Sequence, residues 1–234
     1  MKPQLRTSVT ALFMATLTLR ATVIIATVCI VLACATSHNV RAEERVVRIV
    51  VLGDTFIENK GVPVGDRFVD KLEFVLKARG QSVAVAGAAV PSDTAARGLA
   101  RLDRVITDDI DAVILVLGAN DMVWGIDPNV TRTALAEILR KLEARRIVAL
   151  LCGARSQTKL GDEYRKAFAA MFCGLASEHN VLFYPAFDDA FVDDAQLKAL
   201  DGLHPTPAGI EAVVTRILPQ VEALIARARV ARDR

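Results

Sequence analysis

Aromatic residues are scarce in this chain of 234 residues: they make up 5% of it and include a single tryptophan. The charged residues nearly balance, with 27 Asp and Glu against 29 Lys and Arg, and the basic residues are scattered along the chain. Nucleic-acid-binding domains concentrate positive charge on one face and place aromatic side chains beside it. The composition therefore argues against a nucleic-acid partner.

The sequence also lacks the patterns that hold metals and nucleotides. No group of His, Cys, Asp and Glu has metal-ligand spacing, and no glycine-rich stretch matches a phosphate or dinucleotide fingerprint. Internal repeats and low-complexity linkers are absent as well. We therefore expect chemistry that needs no cofactor and no metal.

Cysteine is rare too, with four in the chain. Two of them lie in the N-terminal segment, which leaves Cys152 and Cys173 if that segment is removed. An oxidising compartment would permit a disulfide between these two, and two separate buried thiols are the alternative. Neither has a neighbouring motif that indicates catalysis or metal binding.

The N-terminus has the pattern of a targeting segment. Basic residues precede an uncharged apolar run over 21–35, which is short for a membrane-spanning helix. Residues 1–42 are predicted to be a signal peptide that is cleaved after Val40-Arg41-Ala42, or an uncleaved N-terminal membrane anchor. The stretch Val31-Leu32-Ala33-Cys34 resembles a lipobox, so a lipoprotein attached through Cys34 is a third interpretation.

All three interpretations place residues 43–234 outside the cytoplasm, in the periplasm or secreted. This remainder is long enough for one domain with a substantial core. Apolar runs predict strands at 46–52, 82–86, 112–117, 147–151 and 181–184. Amphipathic helices are predicted from a cap at Asp66, from a cap at Ser92 or Asp93, and over 128–146, 162–179 and 206–228. The alternation predicts an α/β fold: a three-layer, doubly wound, mostly parallel sheet of about five strands.

Polar residues follow the strands at the sheet edge where such folds bind ligands. Gly53-Asp54-Thr55 ends the first strand, Gly118-Ala119-Asn120-Asp121 follows the third, and Asp201-Gly202-Leu203-His204-Pro205 precedes the last helix. A hydroxyl, an amide and an Asp-x-x-His are the parts of an acyl-transfer site. In a tight loop, the carboxylate of Asp201 can fold back onto one ring nitrogen of His204 while the other faces a nucleophile.

Together with Ser92-Asp93-Thr94 and Gly98-Leu99-Ala100-Arg101-Leu102, these stretches resemble the sequence blocks of the GDSL or SGNH hydrolases, in the same order. The resemblance covers nearly all of 46–224, and it is closest to the branch of periplasmic arylesterases and lysophospholipase-like thioesterases. It implies a flavodoxin-like SGNH hydrolase fold. It also implies a carboxylic ester or thioester hydrolase whose partner is a small-molecule substrate.

The resemblance implies a role for each matching residue. His204 corresponds to the general base, Asp201 to the carboxylate that orients it, and Thr55 to the nucleophile. The oxyanion hole would combine the side-chain amide of Asn120 with the backbone N–H groups of Thr55 and Ser92.

Two positions depart from the family pattern, which has serine at position 55 and glycine at position 92. The methyl group of Thr55 stiffens χ1 and occupies space that is empty in a serine enzyme. Ser92 keeps its backbone N–H but is unfavourable if the position needs a positive φ. These departures motivate an alternative function, a catalytically silent SGNH domain that binds an acyl or glycan ligand.

Met122 and Trp124 lie in a predicted loop over 121–128, where they either line an acyl pocket or cover the core. This loop is too short to form a large lid, which predicts a preference for short or medium acyl esters. A flavodoxin-like nucleotide-binding protein is a third interpretation, and the missing phosphate loop argues against it.

Overall fold

The computed structural model describes residues 45–58, 61–155 and 160–232. The predicted targeting segment over 1–42 and the candidate lipid attachment at Cys34 lie outside these residues. None of the helices in the described ranges is long and apolar enough to cross a membrane.

Five parallel strands form one sheet in the order β2-β1-β3-β4-β5. They are β1 (Val47–Gly53), β2 (Val83–Ala89), β3 (Ala112–Val116), β4 (Val148–Cys152) and β5 (Leu182–Tyr184). The predicted doubly wound α/β fold is therefore confirmed. Helices cover both faces of the sheet, so β3 is buried at every position and β1 at all but one. Such burial explains why both strands are continuous aliphatic runs.

The helices form two layers, one on each face of the sheet. Alternate side chains of β1 pack against one layer or the other. The helices are α1 (Thr55–Glu58), α2 (Phe68–Ala78), α3 (Ala95–Val105), α4 (Ala119–Val123), α5 (Pro128–Ala144), α6 (Asp162–Glu178) and α7 (Pro207–Arg232). Ile49 and Val51 share a core cluster with α2 and α7. Val50 and Leu52 point to the opposite face and share a core cluster with α3, α5 and α6.

The strand order reverses between β1 and β3, since β1 pairs with β2 on one side and with β3 on the other. The three strands end nearly level, because Gly53 pairs with both Ala89 and Val116. In open α/β sheets, the crevice beyond this reversal is where ligands bind. The fold therefore brings the residues that follow β1, β2 and β3 to one place.

Several element boundaries differ from the prediction; β2, for example, runs to Ala89 and not to residue 86. Asp66 was predicted to cap α2, but the helix begins at Phe68 and Asp66 pairs with Lys71, 3.1 Å away. The predicted loop over 121–128 is also partly wrong, because the short helix Ala119–Val123 runs into it. Gly118 starts that helix in the left-handed region, at φ 110°, a conformation that a glycine adopts without strain.

The cap of α3 was also predicted wrongly. Neither Ser92 nor Asp93 caps it; Thr94 does, and its Oγ1 accepts a hydrogen bond from the N–H of Arg97 at 3.3 Å. The carboxylate of Asp93 instead accepts from Arg101 Nε at 2.7 Å. A carboxylate held by a buried cation is not available to cap a helix.

The two described cysteines do not form a disulfide. Cys152 is buried at the end of β4, and Cys173 is exposed on α6. The interpretation as two separate thiols is therefore correct, although only one of them is buried.

Candidate active site

The turn from β1 into α1 places Thr55 at the carboxyl edge of the sheet. This turn needs glycine at position 53, because a Cβ there would lie 2.4 Å from Cγ1 of Ile57. Thr55 is the first residue of α1, and its Oγ1 accepts a hydrogen bond from the N–H of Ser92 at 3.0 Å. The candidate nucleophile and one candidate oxyanion donor therefore contact each other directly.

Ser92 lies in the left-handed region of backbone conformation, with φ 61°. Its N–H reaches Thr55 from the tight turn that follows β2, where the N–H of Asp93 bonds to the carbonyl of Val90 at 3.2 Å. A residue with a side chain costs about 1 kcal/mol more than glycine in this conformation. The position therefore has the positive φ that makes serine unfavourable.

Asp201 and His204 form a tight pair in the loop before α7. The Oδ2 of Asp201 lies 2.6 Å from Nδ1 of His204, and its Oδ1 accepts from the N–H groups of His204 at 3.0 Å and Leu203 at 2.9 Å. These bonds, led by that of the His204 N–H, hold the pKa of Asp201 well below its usual range. With a proton on Nδ1, the other ring nitrogen of His204 is left as an acceptor.

An aromatic side chain that the sequence analysis missed supports the imidazole of His204. The ring of Phe56 lies 5.7 Å from the His204 ring and 6.1 Å from that of Phe191, measured between centroids. Within the described residues, Thr55 Oγ1 makes no hydrogen bond to His204. Contacts between nucleophile and base are often loose in the free protein and tighten when substrate binds.

The side-chain amide of Asn120 is held by two acceptors from the neighbouring strand ends. Its Nδ2 donates to Oδ2 of Asp54 at 2.7 Å and to the carbonyl oxygen of Asp93 at 2.9 Å. An amide nitrogen has two hydrogens, so both are engaged. Asn120 must therefore give up one of these bonds before it can donate to an oxyanion.

A buried arginine ties these strand ends together. Arg101 is 8% exposed and bonds through Nε to Asp93, through Nη1 to the carbonyl of Ala88 at 2.9 Å, and through Nη2 to the carbonyl of Gly53 at 2.9 Å. It joins the ends of β1 and β2 to the turn that carries Ser92. The stretch around Arg101 was part of the family resemblance, but its partners are not visible in the sequence pattern.

Asp121 lies beside the site and has a structural role. It is 1% exposed, and its two oxygens accept from the N–H of Ala95 and from the hydroxyl of Thr131, each at 2.9 Å. Burial raises the pKa of its carboxyl group. Asp121, which lies on α4, therefore links this short helix to the starts of α3 and α5.

A largely apolar cavity of about 470 Å³ opens beside these residues, at the ends of β3 and β4. Met122, which is 3% exposed, lines it, together with Val116, Leu117, Phe187, Phe191, Val192 and Leu203. Trp124 is not among its lining residues; it is half-exposed, and the guanidinium of Arg97 lies 5.6 Å from its ring centroid. Of the two candidate substrate-binding residues, only Met122 therefore faces the cavity.

Among the described residues, this edge of the sheet offers neither a metal site nor a reactive thiol. In the ranges that the structure describes, no three His, Cys, Asp or Glu side chains are grouped so that they could hold a metal ion. Cys152 borders the cavity, but burial raises the pKa of its thiol far above the usual range. A thiol that stays protonated is a poor nucleophile.

A hydroxyl, an amide and an Asp-His pair at the reversal point of a 2-1-3-4-5 parallel sheet define an SGNH-type hydrolase. Comparison with known proteins agrees with this class. The model of the GDSL-like Lipase/Acylhydrolase family matches residues 51–212, and the chain belongs to this family.

Three known proteins illustrate the similarity. Esterase TesA of Pseudomonas aeruginosa is 26% identical over 178 residues, which are 76% of this chain and 89% of that protein. The crystal structure of TesA matches with a TM-score of 0.72 and covers 76% of this chain and 99% of that one. AlinE4, described as an SGNH-hydrolase family esterase, is 31% identical at a TM-score of 0.64, with coverage of 76% and 96%. Thioesterase 1/protease 1/lysophospholipase L1 of Escherichia coli is 30% identical over 142 residues, covering 60% and 68%.

Proposed function

We propose that this protein is an exported ester or thioester hydrolase that works through an acyl-enzyme on Thr55. The observation that carries the proposal is the position of Thr55 Oγ1, which lies 3.0 Å from the N–H of Ser92 at the reversal point of the sheet. The Asp201-His204 pair supplies a base oriented by a carboxylate. The names of the similar proteins, esterase and thioesterase, support the substrate class. Export rests on the composition of residues 1–42.

The chemistry follows from these positions. His204 accepts the proton of the Thr55 hydroxyl as its oxygen attacks the carbonyl carbon, and Asp201 stabilises the imidazolium that forms. His204 then gives the proton to the departing alcohol or thiol, which leaves an ester of Thr55. A water molecule, deprotonated by His204, attacks this ester, and the acid product leaves with the Thr55 hydroxyl restored.

Three donors would stabilise the tetrahedral oxyanion. When Oγ1 bonds to the substrate carbon, the N–H of Ser92 loses its present acceptor and is free to donate. The N–H of Thr55 has no acceptor in the part of the chain that the structure describes. Asn120 is the third donor, once it releases one of its two present bonds.

Labelling with a fluorophosphonate probe tests the acyl-enzyme directly. We expect wild-type protein to carry the probe on Thr55, as located by mass spectrometry, because the phosphorus is attacked only by an activated hydroxyl. Thr55→Ala and His204→Ala are expected to remain unlabelled. A probe found on another residue, or no labelling of wild type under conditions that label a serine SGNH esterase, would contradict the proposal.

The second candidate is a catalytically silent domain that binds an acyl or glycan ligand. Two observations favour it: both amide hydrogens of Asn120 are engaged, and within the described residues Thr55 lacks a hydrogen bond to His204. Unlabelled wild-type protein that still bound an acyl ligand would support this candidate over the hydrolase.

The cavity beside Met122 predicts a preference for short or medium acyl chains. With p-nitrophenyl esters from acetate to palmitate, we expect kcat/KM to be highest at a short or medium chain, because an apolar cavity of about 470 Å³ limits the length of chain it can bury. Met122→Ala widens the cavity and is expected to raise the ratio of long-chain to short-chain kcat/KM by about 10-fold, the scale of one or two methylene groups.

Trp124→Ala serves as the matched control, since Trp124 follows α4 but does not line the cavity. Its ratio is expected to equal that of wild type. Because a ratio of two substrates does not depend on the amount of folded enzyme, lost stability cannot mimic the effect. An optimum at palmitate, with no turnover of acetate or butyrate esters, would rule out the preference.

A further inference from the structure

Asp54 is a buried carboxylate that the mechanism above does not use. It is 1% exposed and lies between the end of β1 and the start of α1. Its Oδ1 accepts from the N–H of Phe56 at 3.1 Å, and its Oδ2 accepts from Nδ2 of Asn120 at 2.7 Å. Burying an ionised carboxylate is costly unless its oxygens are bonded, and these two hydrogen bonds offset that cost.

We propose that Asp54 is a positioning residue for the oxyanion hole, an inference that rests on the proposed hydrolase function. Its carboxylate holds one N–H of Asn120, so that the other N–H, now bound to the carbonyl of Asp93, is the one transferred to the oxyanion.

The two bonds of Asn120 differ in strength, and this difference determines which one is released. A hydrogen bond to a carboxylate is about twice as strong as one to a neutral carbonyl. The bond to Asp54 is also the shorter of the two, 2.7 Å against 2.9 Å. The Asp93 carbonyl is fixed, because Arg101 holds the side chain of the same residue. Asn120 can therefore turn one hydrogen toward a stronger acceptor, a developing oxyanion, while Asp54 keeps the amide in place.

This role makes the oxyanion hole sensitive to pH. Burial raises the pKa of Asp54 to about 7, and hydrogen bonds such as that from Phe56 oppose the rise. The charged groups that act on it are Asp93, which raises its pKa further, and His204, which lowers it. Arg101 is bound to the carbonyl of Gly53, the residue before Asp54, and to the carboxylate of Asp93.

Protonation of Asp54 would weaken its hold on Asn120. Each carboxylate oxygen faces an N–H donor, from Phe56 or from Asn120. A proton on either oxygen removes the negative charge that strengthens both bonds, because a neutral carboxyl group is a weaker acceptor than a carboxylate. Below about pH 7 the hold on Asn120 is therefore reduced, and above it the hold is restored.

NMR of the Asn120 side chain tests the hydrogen bond between Asn120 and Asp54 without relying on catalysis. In 15N-labelled protein, the Asn120 amide resonances are assigned as the pair missing from Asn120→Ala. We expect this pair to shift with pH, with a midpoint near neutrality in wild type. The shift is expected to persist in His204→Ala, which has no imidazole at this site, and to disappear in Asp54→Asn. Resonances that do not titrate in wild type, or whose titration is lost in His204→Ala, would overturn the proposal.

Kinetics tests the consequence for the reaction. Asp54→Asn is expected to lower kcat by about 10- to 100-fold, toward the effect of losing one oxyanion donor. KM is expected to change little. The acid limb of log kcat/KM against pH is expected to become less steep, because asparagine at position 54 has no proton to lose in this range. Asp66→Asn removes the same charge from a half-exposed side chain outside the site, whose partner is Lys71, and is expected to behave as wild type.

The amount of active enzyme is normalised by titration with the fluorophosphonate, so that misfolding does not count as lost kcat. Asp54→Asn with wild-type kcat, or with raised KM alone, would contradict the positioning role. Failure of the hydrolase proposal has a different result: no labelling and no turnover in wild type, while the titration of the Asn120 amide is still observed.

Discussion

Replacing His204 by alanine is expected to lower kcat/KM for ester hydrolysis by about 10³-fold or more, the scale seen when a catalytic triad loses its base. Without the imidazole, no group accepts the proton of Thr55 or returns it to the leaving group. Asp201 stays ionised near neutral pH, because the hydrogen bond from the N–H of His204 holds its pKa well below the usual range.

The folded state is expected to tolerate this change. The side chain of His204 is 39% exposed and that of its partner Asp201 is 48% exposed, and ion pairs at that exposure contribute little to stability. The melting temperature should therefore stay close to that of wild type. His179→Ala is the matched control, since His179 ends α6 away from the site and its replacement should leave activity unchanged. An active His204→Ala enzyme would mean that 201–205 is only a turn.

The sequence predicts the sheet well because the composition of each central strand is enough to identify it. The buried strands β1 and β3 are continuous aliphatic runs, and each is followed by a short polar stretch. The Asp201-His204 pair is also predictable, because the partners are three positions apart and the contact depends only on a local turn. Strand ends and short-range pairs therefore fix the edge at which the site lies.

What the sequence does not predict are contacts between distant residues. Asp54 and Asn120 are 66 positions apart, and their bond exists only because β1 and β3 lie side by side. Asp93 was predicted as a helix cap, but Arg101 holds it instead, because both are buried under the ends of β1 and β2. Trp124 was a candidate for the cavity, and the turn after α4 directs it to the surface. Local pattern cannot show which partner a polar side chain finds once the strands pack.

Replacing Thr55 by serine is expected to raise ester hydrolysis by about 10- to 100-fold, the scale on which rate responds to a misplaced reacting group. In the present structure, Thr55 Oγ1 bonds to the N–H of Ser92 and not to His204. To react, the hydroxyl has to move from one to the other, and the threonine methyl restricts that rotation. Serine has no such methyl group, so its oxygen reaches the base at lower cost.

The effect is measured as kcat/KM with p-nitrophenyl butyrate, normalised by fluorophosphonate titration of active enzyme. Thr55→Ala is expected to form no acyl-enzyme. Thr133→Ser is the matched control: it removes the same methyl from an exposed threonine on α5 whose hydroxyl donates to the carbonyl of Asn129. Its activity should equal that of wild type.

Ser92→Gly is expected to add to the gain of Thr55→Ser. Glycine removes the strain of about 1 kcal/mol at φ 61° and lets the turn adjust its N–H to the oxyanion. Because the two residues contact each other, their effects should be coupled, with the double variant faster than the product of the single gains. A Thr55→Ser enzyme slower than wild type would show that the pocket is adapted to threonine. A Thr55→Ala protein as active as wild type would remove Thr55 from the mechanism altogether.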